Sequence, residues 1–196
     1  ARELSAEALG RKRALLFLDE FNLAPQSVMA AMLRLVHEGY VGDTKLGPGV
    51  ARIAAANPPE IANAPNLLPA MSNRFAHFNW TMSPQYWVQA AIAGFPDPKV
   101  VRIRDDWENN VPLTYSLIAS FISANTSLAH DRPKDEGKWG QPWPSYRSWT
   151  MASQLLAAAQ SIGAGDGIEA ALVESCVGPG AAVAFMEYRR KLNLPH

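Results

Sequence analysis

The stretch Ala14–Pro25, ALLFLDEFNLAP, constrains this chain more than any other. Five apolar residues run straight into Asp19 and Glu20, and a polar Asn22 and a proline follow at once. A short continuous apolar run is the pattern of a strand covered on both faces, as in a parallel sheet. Proline is well placed to open a helix, and after Pro25 the residues Val28, Met32, Leu35 and Val36 recur at helical spacing up to Gly39, a C-terminal stop. Asp19 and Glu20 therefore stand at the carboxyl end of a strand, the edge where open parallel sheets bind ligands. One carboxylate there can hold Mg²⁺ through water or phosphate oxygens, while its neighbour, pointing elsewhere, polarises an attacking water. A lone acidic pair also reads as a solvated cap on strand or helix.

Further along, Tyr40–Val41, GDTKLGPG and Val50–Ile53 predict a hairpin with a Gly/Pro-rich tip. Its second arm continues as a run of small and apolar residues, Ala51–Ala56, that stops at Asn57-Pro58-Pro59, where regular structure ends. Ala76–Trp80 (AHFNW) is a third candidate strand. Strand, helix, strand, turn, strand is an α/β signature. After Ser83-Pro84 the pattern turns helical, over Gln85–Ala93, Leu113–Ala129, Ser148–Ser161, Ile168–Val177 and Ala181–Leu192. The domains are thus 1–83, an α/β part, and 84–196, an all-α part.

Charge and cysteine usage narrow the partners. Lys+Arg and Asp+Glu both count 18, so the formal charge is zero and gives no case for a nucleic-acid or anionic-membrane partner. No apolar run reaches the roughly 20 residues that span a bilayer. The single Cys176, flanked by Leu172, Val173 and Val177, suits a small buried hydrophobe in a reducing compartment, which makes a cytoplasmic location the expectation. The first residues carry no signal-peptide pattern and no initiator methionine, so the chain reads as a piece of something longer. His37, His77, His130 and His196 lie at no metal-ligand spacing. Trp139, Trp143 and Trp149 read as packing under a long loop rather than as an aromatic platform.

ALLFLDEFNLAP resembles the Walker B segment of an AAA+ ATPase, in the form typical of the MoxR-like and related branches. Three further motifs arrive in that family's order. IAAANPPE (Ile53–Glu60) is similar to the sensor 1 strand, PAMSNRF (Pro69–Phe75) to the arginine-finger segment, and PSYRSW (Pro144–Trp149) to the start of the sensor 2 helix. Tyr40–Ile53 sits where MoxR-like proteins insert a hairpin. Singly, Asn57 reads as part of a turn, Arg74 as a surface ion pair and Arg147 as a solvated first-turn residue; the ordered set carries the resemblance. It covers most of residues 14–160.

The resemblance implies an α/β fold: a remnant of a parallel-sheet P-loop AAA+ core, followed by an all-α helical lid. It implies ATP and Mg²⁺, with Asp19 as metal ligand, Glu20 as the base for water, and Asn57 and Arg147 reading the γ-phosphate. Arg74 would act on a neighbouring subunit's nucleotide. It further implies a homo-oligomeric ring, often a hexamer, that remodels or matures a client protein. G-x-x-x-x-G-K-[ST], whose amides and lysine cradle phosphates, does not occur in the sequence. The P-loop would then precede residue 1, and this chain alone would be inactive. Two other readings stand beside this one: a non-catalytic interaction module with a degenerate AAA+ fold, and an AAA+ motor acting on nucleic acid through the hairpin GDTKLGPG.

Overall fold

A computed structural model describes residues 3–4, 14–47, 49–58, 65–97 and 100–192, with only the backbone of 3–4. It is a mixed α/β structure with a small parallel strand pair and a helical C-terminal part. The chain forms two compact units, Ala1–Phe75 with Pro133–Gln141, and Ala76–Arg132 with Pro142–His196. The division thus falls between Phe75 and Ala76, ahead of the 83/84 boundary drawn from the sequence.

The first unit holds strands β1 (Glu3–Leu4), β2 (Ala14–Leu18), β3 (Tyr40–Val41), β4 (Thr44–Leu46) and β5 (Val50–Ala54), with helices α1 (Gln26–Glu38) and α2 (Pro69–Ser72). Strands β2 and β5 pair in parallel over five residues, from Ala14 beside Val50 to Leu18 beside Ala54. The helix predicted after Pro25 forms, and Gly39 ends it at φ 76°, its amide donating to the Leu35 carbonyl at 3.1 Å. The predicted hairpin is shorter than expected. It turns at Gly42-Asp43, with Gly42 at φ 57°, and returns along β4. A two-residue turn with positive φ matches the twist of the flanking strands, so the hairpin closes early and leaves Val50–Ala54 for β2.

The core of this unit gathers Phe21, Val36 and Met71, with Leu18, Met32, Ala54 and Phe75 packed against them. Phe21 and Phe75 meet edge to face at 5.7 Å. The expectation of a strand covered on both faces is corrected here. Leu15 and Phe17 are 56% and 55% exposed, whereas Ala14, Leu16 and Leu18 are half-buried. Strand side chains alternate between faces, and among the described residues the pair β2–β5 is covered on one face only.

The second unit contains α3 (Pro84–Ala93), α4 (Val111–Ala124), α5 (Tyr146–Ser161), α6 (Asp166–Val177) and α7 (Pro179–Leu192), close to the five helices read from the sequence. Ser83 caps α3 by accepting from the Tyr86 amide. Ser145 and Ser148 form a capping box at the start of α5. Phe121, Trp149 and Phe185 fill the core at centroid separations of 5.4–5.8 Å, with Leu156, Val173 and Val177 around them. Trp143 is also buried in this unit, whereas Trp139 belongs to the first. Gly178 joins α6 to α7 at φ 82°, and a Cβ there would stand 2.7 Å from the Pro142 carbonyl oxygen, so only glycine fits. Buried Glu169 on α6 pairs with Arg189 on α7, and Arg189 also reaches Asp166 at 3.3 Å.

The third candidate strand, Ala76–Trp80, does not form. His77 instead donates its amide to the Ser175 carbonyl at 2.7 Å, and Ala76 packs on the helical core. With its backbone tied to a helix end, the segment pairs with no strand among the described residues, and Phe78 and Trp80 remain exposed.

Candidate functional site

The parallel register of β2 and β5 sets the geometry of the site. Both strands run the same way, so the residues that follow them emerge at one edge. The ladder continues past the strands: the Ala55 amide donates to the Leu18 carbonyl at 2.8 Å, and the Phe21 amide donates to the Ala55 carbonyl at 2.9 Å. Asn22, only 3% exposed, then donates its side-chain amide to the Asn57 carbonyl at 2.8 Å. Asp19, Glu20 and Asn57 are thereby held around one junction, and all three are exposed.

The junction itself is strained. Glu20 sits in the left-handed region, at φ 48° and ψ 38°, the only non-glycine residue with positive φ among those described. An L-residue with a long side chain adopts this conformation at a cost of roughly 1–2 kcal/mol. Two neighbours hold it: the Glu20 amide donates to Asp19 Oδ1 at 3.0 Å, and the Glu20 carbonyl accepts from Leu23 at 2.9 Å. Such strain concentrates where a backbone must aim a side chain.

Asp19 spends one oxygen on the Glu20 amide and has no other partner among the described residues. No group of three His, Cys, Asp or Glu that could hold a metal ion by itself occurs among the described residues. The donor set suits a magnesium ion that keeps most of its water and phosphate ligands and takes one protein carboxylate.

Arg74 lies in the same unit, on the turn after α2, and is half-buried. Its Nη1 donates to the Ala70 carbonyl, and buried Met71 anchors the turn in the core. Ser72 donates to the Gln141 carbonyl at 2.7 Å. Arg147 stands in the other unit, in the first turn of α5, two residues after the cap Ser145, and is exposed. The structure thus brings together Asp19, Glu20 and Asn57; Arg74 stands on a separate turn and Arg147 in a separate unit. Sequence reasoning passed over two features, the left-handed Glu20 and the tie from Asn22. A buried Asn between an acid pair and a helix-opening proline was the available signal for the tie; glutamate gives none for a left-handed backbone.

No model of a known protein family, no curated protein and no solved structure matches this chain. Among the described residues no helix is long and apolar enough to cross a membrane.

Proposed function

We propose that this chain is part of an AAA+ ATPase of MoxR-like type, in which ATP hydrolysis remodels or helps mature a client protein. One observation carries the reading: the parallel, in-register pairing of Ala14–Leu18 with Val50–Ala54, which gathers Asp19, Glu20 and Asn57 at a single strand-end edge. An acid pair and a polar sensor from the next strand are what water-mediated phosphoryl transfer needs there.

In this reading Asp19 offers its uncommitted oxygen to Mg²⁺, which neutralises phosphate charge when bound. Glu20, aimed by its left-handed backbone, takes the proton of the attacking water. Asn57 orients that water or a γ-phosphate oxygen, with its position set by Asn22. Arg147 reads the γ-phosphate, and Arg74 serves the nucleotide of the next subunit in a ring. Cytoplasmic location belongs to the same proposal.

The test is Glu20→Gln in the full-length protein that supplies the phosphate-binding loop. The amide keeps the shape but not the basicity, so turnover is lost while nucleotide binding stays. ATPase activity within about tenfold of the unsubstituted protein would remove Glu20 from the role of base.

A further inference from the structure

The first unit holds a basic cleft at the end of α1 remote from the acid pair. Over its 13 residues α1 carries the chain about 20 Å away from Pro25, at about 1.5 Å per residue. There a cleft of about 410 Å³ opens between the end of α1, β4 and β5. His37, Lys45 and Arg52 line it, with Glu38 as its one acid and with Gly39 and Gly47 as positions that carry no side chain. Glu38 pairs with Arg34 at 3.4 Å, and Arg34 lies over the Tyr40 ring at 4.8 Å. His37, Lys45 and Arg52 have no carboxylate partner among the described residues.

Arg52 is held in place across the helix end. Its Nη1 donates to the Leu35 carbonyl at 3.2 Å, and a Cβ on Gly39 would stand 3.5 Å from the same nitrogen. A guanidinium has further N–H donors beyond the one spent there. A helix C-terminus favours a nearby cation, and Arg52 meets that need by itself. Lys45, on the hairpin, is surplus to it. With Glu38 offset by Arg34, the cleft keeps the uncompensated charges of Lys45 and Arg52.

We propose that this cleft binds a small anion carrying two or more phosphate groups. Lys45 and Arg52 come from different strands, so the ligand meets a point-like ammonium at one place and a planar fork at another. His37 adds an imidazole that can donate a hydrogen bond. The volume falls within the roughly 300–1,000 Å³ of small-molecule sites, more than a single phosphate fills. The basic groups converge on one concavity instead of tracking an extended groove, which favours a compact ligand over a nucleic-acid strand. The inference stands apart from the ATPase reading, because it uses no residue of the strand-end edge and needs no Mg²⁺.

The experiment is calorimetric titration of the 196-residue chain with sodium tripolyphosphate, in magnesium-free buffer of low ionic strength. Lys45→Glu and Arg52→Gln are run beside it, with Lys191→Glu, exposed in the other unit, as the control for charge alone. Lys45 is exposed, and glutamine keeps a donor for the Leu35 carbonyl, so both variants should fold; circular dichroism verifies this. The expected result is one site with a Kd below about 1 mM. Lys45→Glu and Arg52→Gln should each weaken it at least about tenfold, and Lys191→Glu less than about threefold. In two-dimensional NMR spectra the amides of Gly39 and Gly47 should shift as the anion is added. No binding up to about 1 mM would overturn the proposal, as would cleft variants that bind as tightly as Lys191→Glu. Amide shifts centred on Asp19–Leu23 would overturn it by placing the anion at the strand-end edge. A single-stranded oligonucleotide without terminal phosphates that binds at least as tightly would overturn it too, by assigning the basic groups to nucleic acid.

Discussion

The side-chain amide of Asn22 donates to the backbone carbonyl of Asn57 at 2.8 Å, across 35 residues of chain. The bond fastens the link after the acid pair to the end of the neighbouring strand. The Oδ1 of Asn22 is buried and has no hydrogen-bond partner among the described residues. Asn22→Ala should therefore lower stability by only about 1–2 kcal/mol, a lost hydrogen bond offset by removal of that acceptor. Asn22→Asp keeps the size but sets a desolvated carboxylate against a carbonyl, and should cost more. Urea denaturation of both variants reads the order; an aspartate variant more stable than the alanine variant would contradict it.

Glu20 offers a test in which stability and activity part. Glu20→Gly relieves the positive φ, so it should be about 1 kcal/mol more stable than Glu20→Ala, which keeps the left-handed strain. Neither variant has a carboxylate, so neither should hydrolyse ATP in the full-length protein. Equal denaturation midpoints for the two would mean that the backbone at Glu20 is not held as described.

Much of this edge is legible in the sequence, for a physical reason. ALLFL ending in Asp19 and a helix opened by Pro25 obey local rules, and their positions follow from them. What the sequence hides depends on partners distant along the chain. Val50–Ile53 reads as the second arm of a hairpin because the Gly- and Pro-bearing stretch GDTKLGPG before it resembles a hairpin tip, yet the earlier turn at Gly42-Asp43 leaves Val50–Ala54 to pair with β2. Ala76–Trp80 alternates like a strand, but a strand needs a neighbour, and the hydrogen bond from His77 goes to a helix end instead. The exposed Leu15 and Phe17 follow the same logic: an apolar run shows which residues favour burial, not whether both faces are covered.

Arg74 separates a ring from a monomeric module. A guanidinium supplied in trans to a transferring phosphoryl group contributes roughly 10³–10⁵ in rate. Arg74→Ala in the full-length protein should depress hydrolysis heavily and be rescued by mixing with Glu20→Gln, whose subunits still carry Arg74. ATPase titration of one variant against the other, after dissociation and reassembly, measures this. A flat response at every ratio would assign Arg74 a role within its own unit, such as its bond to the Ala70 carbonyl.

The pair Glu169–Arg189 governs the joint between α6 and α7. Its side chains are 5% and 17% exposed, so removing one partner strands a charge. Arg189→Met should destabilise by about 3–5 kcal/mol, whereas Glu169→Leu combined with Arg189→Met should restore or exceed the original stability. Thermal denaturation of the single and double variants decides. A double variant as unstable as the single one would mean that the loss comes from packing rather than charge.

Cys176 gives the fold a defined response to alkali. Burial pushes its thiol from an ordinary value of 9.0 up to about 11, while a bond with Ser175 pulls slightly the other way. Below pH 9 both the folded and unfolded chains keep the proton and the stabilisation is fully present. Between pH 9 and about 11 the unfolded chain loses its proton first, so stability falls. Cys176→Ala should flatten that part of the stability–pH profile. An unchanged slope would place the alkaline transition on other groups.

The parallel pairing of β2 with β5 also sets an order of assembly. Before the first bond between them can form, the 31 residues 19–49 must be drawn into a closed loop, at an entropic cost that no local contact offsets in advance. In the second unit α5, α6 and α7 follow one another through short connections, residues 162–165 and the single Gly178. The strand-end edge is therefore expected to complete late in folding and to open early, with the amides of Phe21 and Ala55 exchanging with solvent sooner than those of Leu156 and Val173. The part of the chain that would do chemistry is then the part whose presence reports that folding has finished.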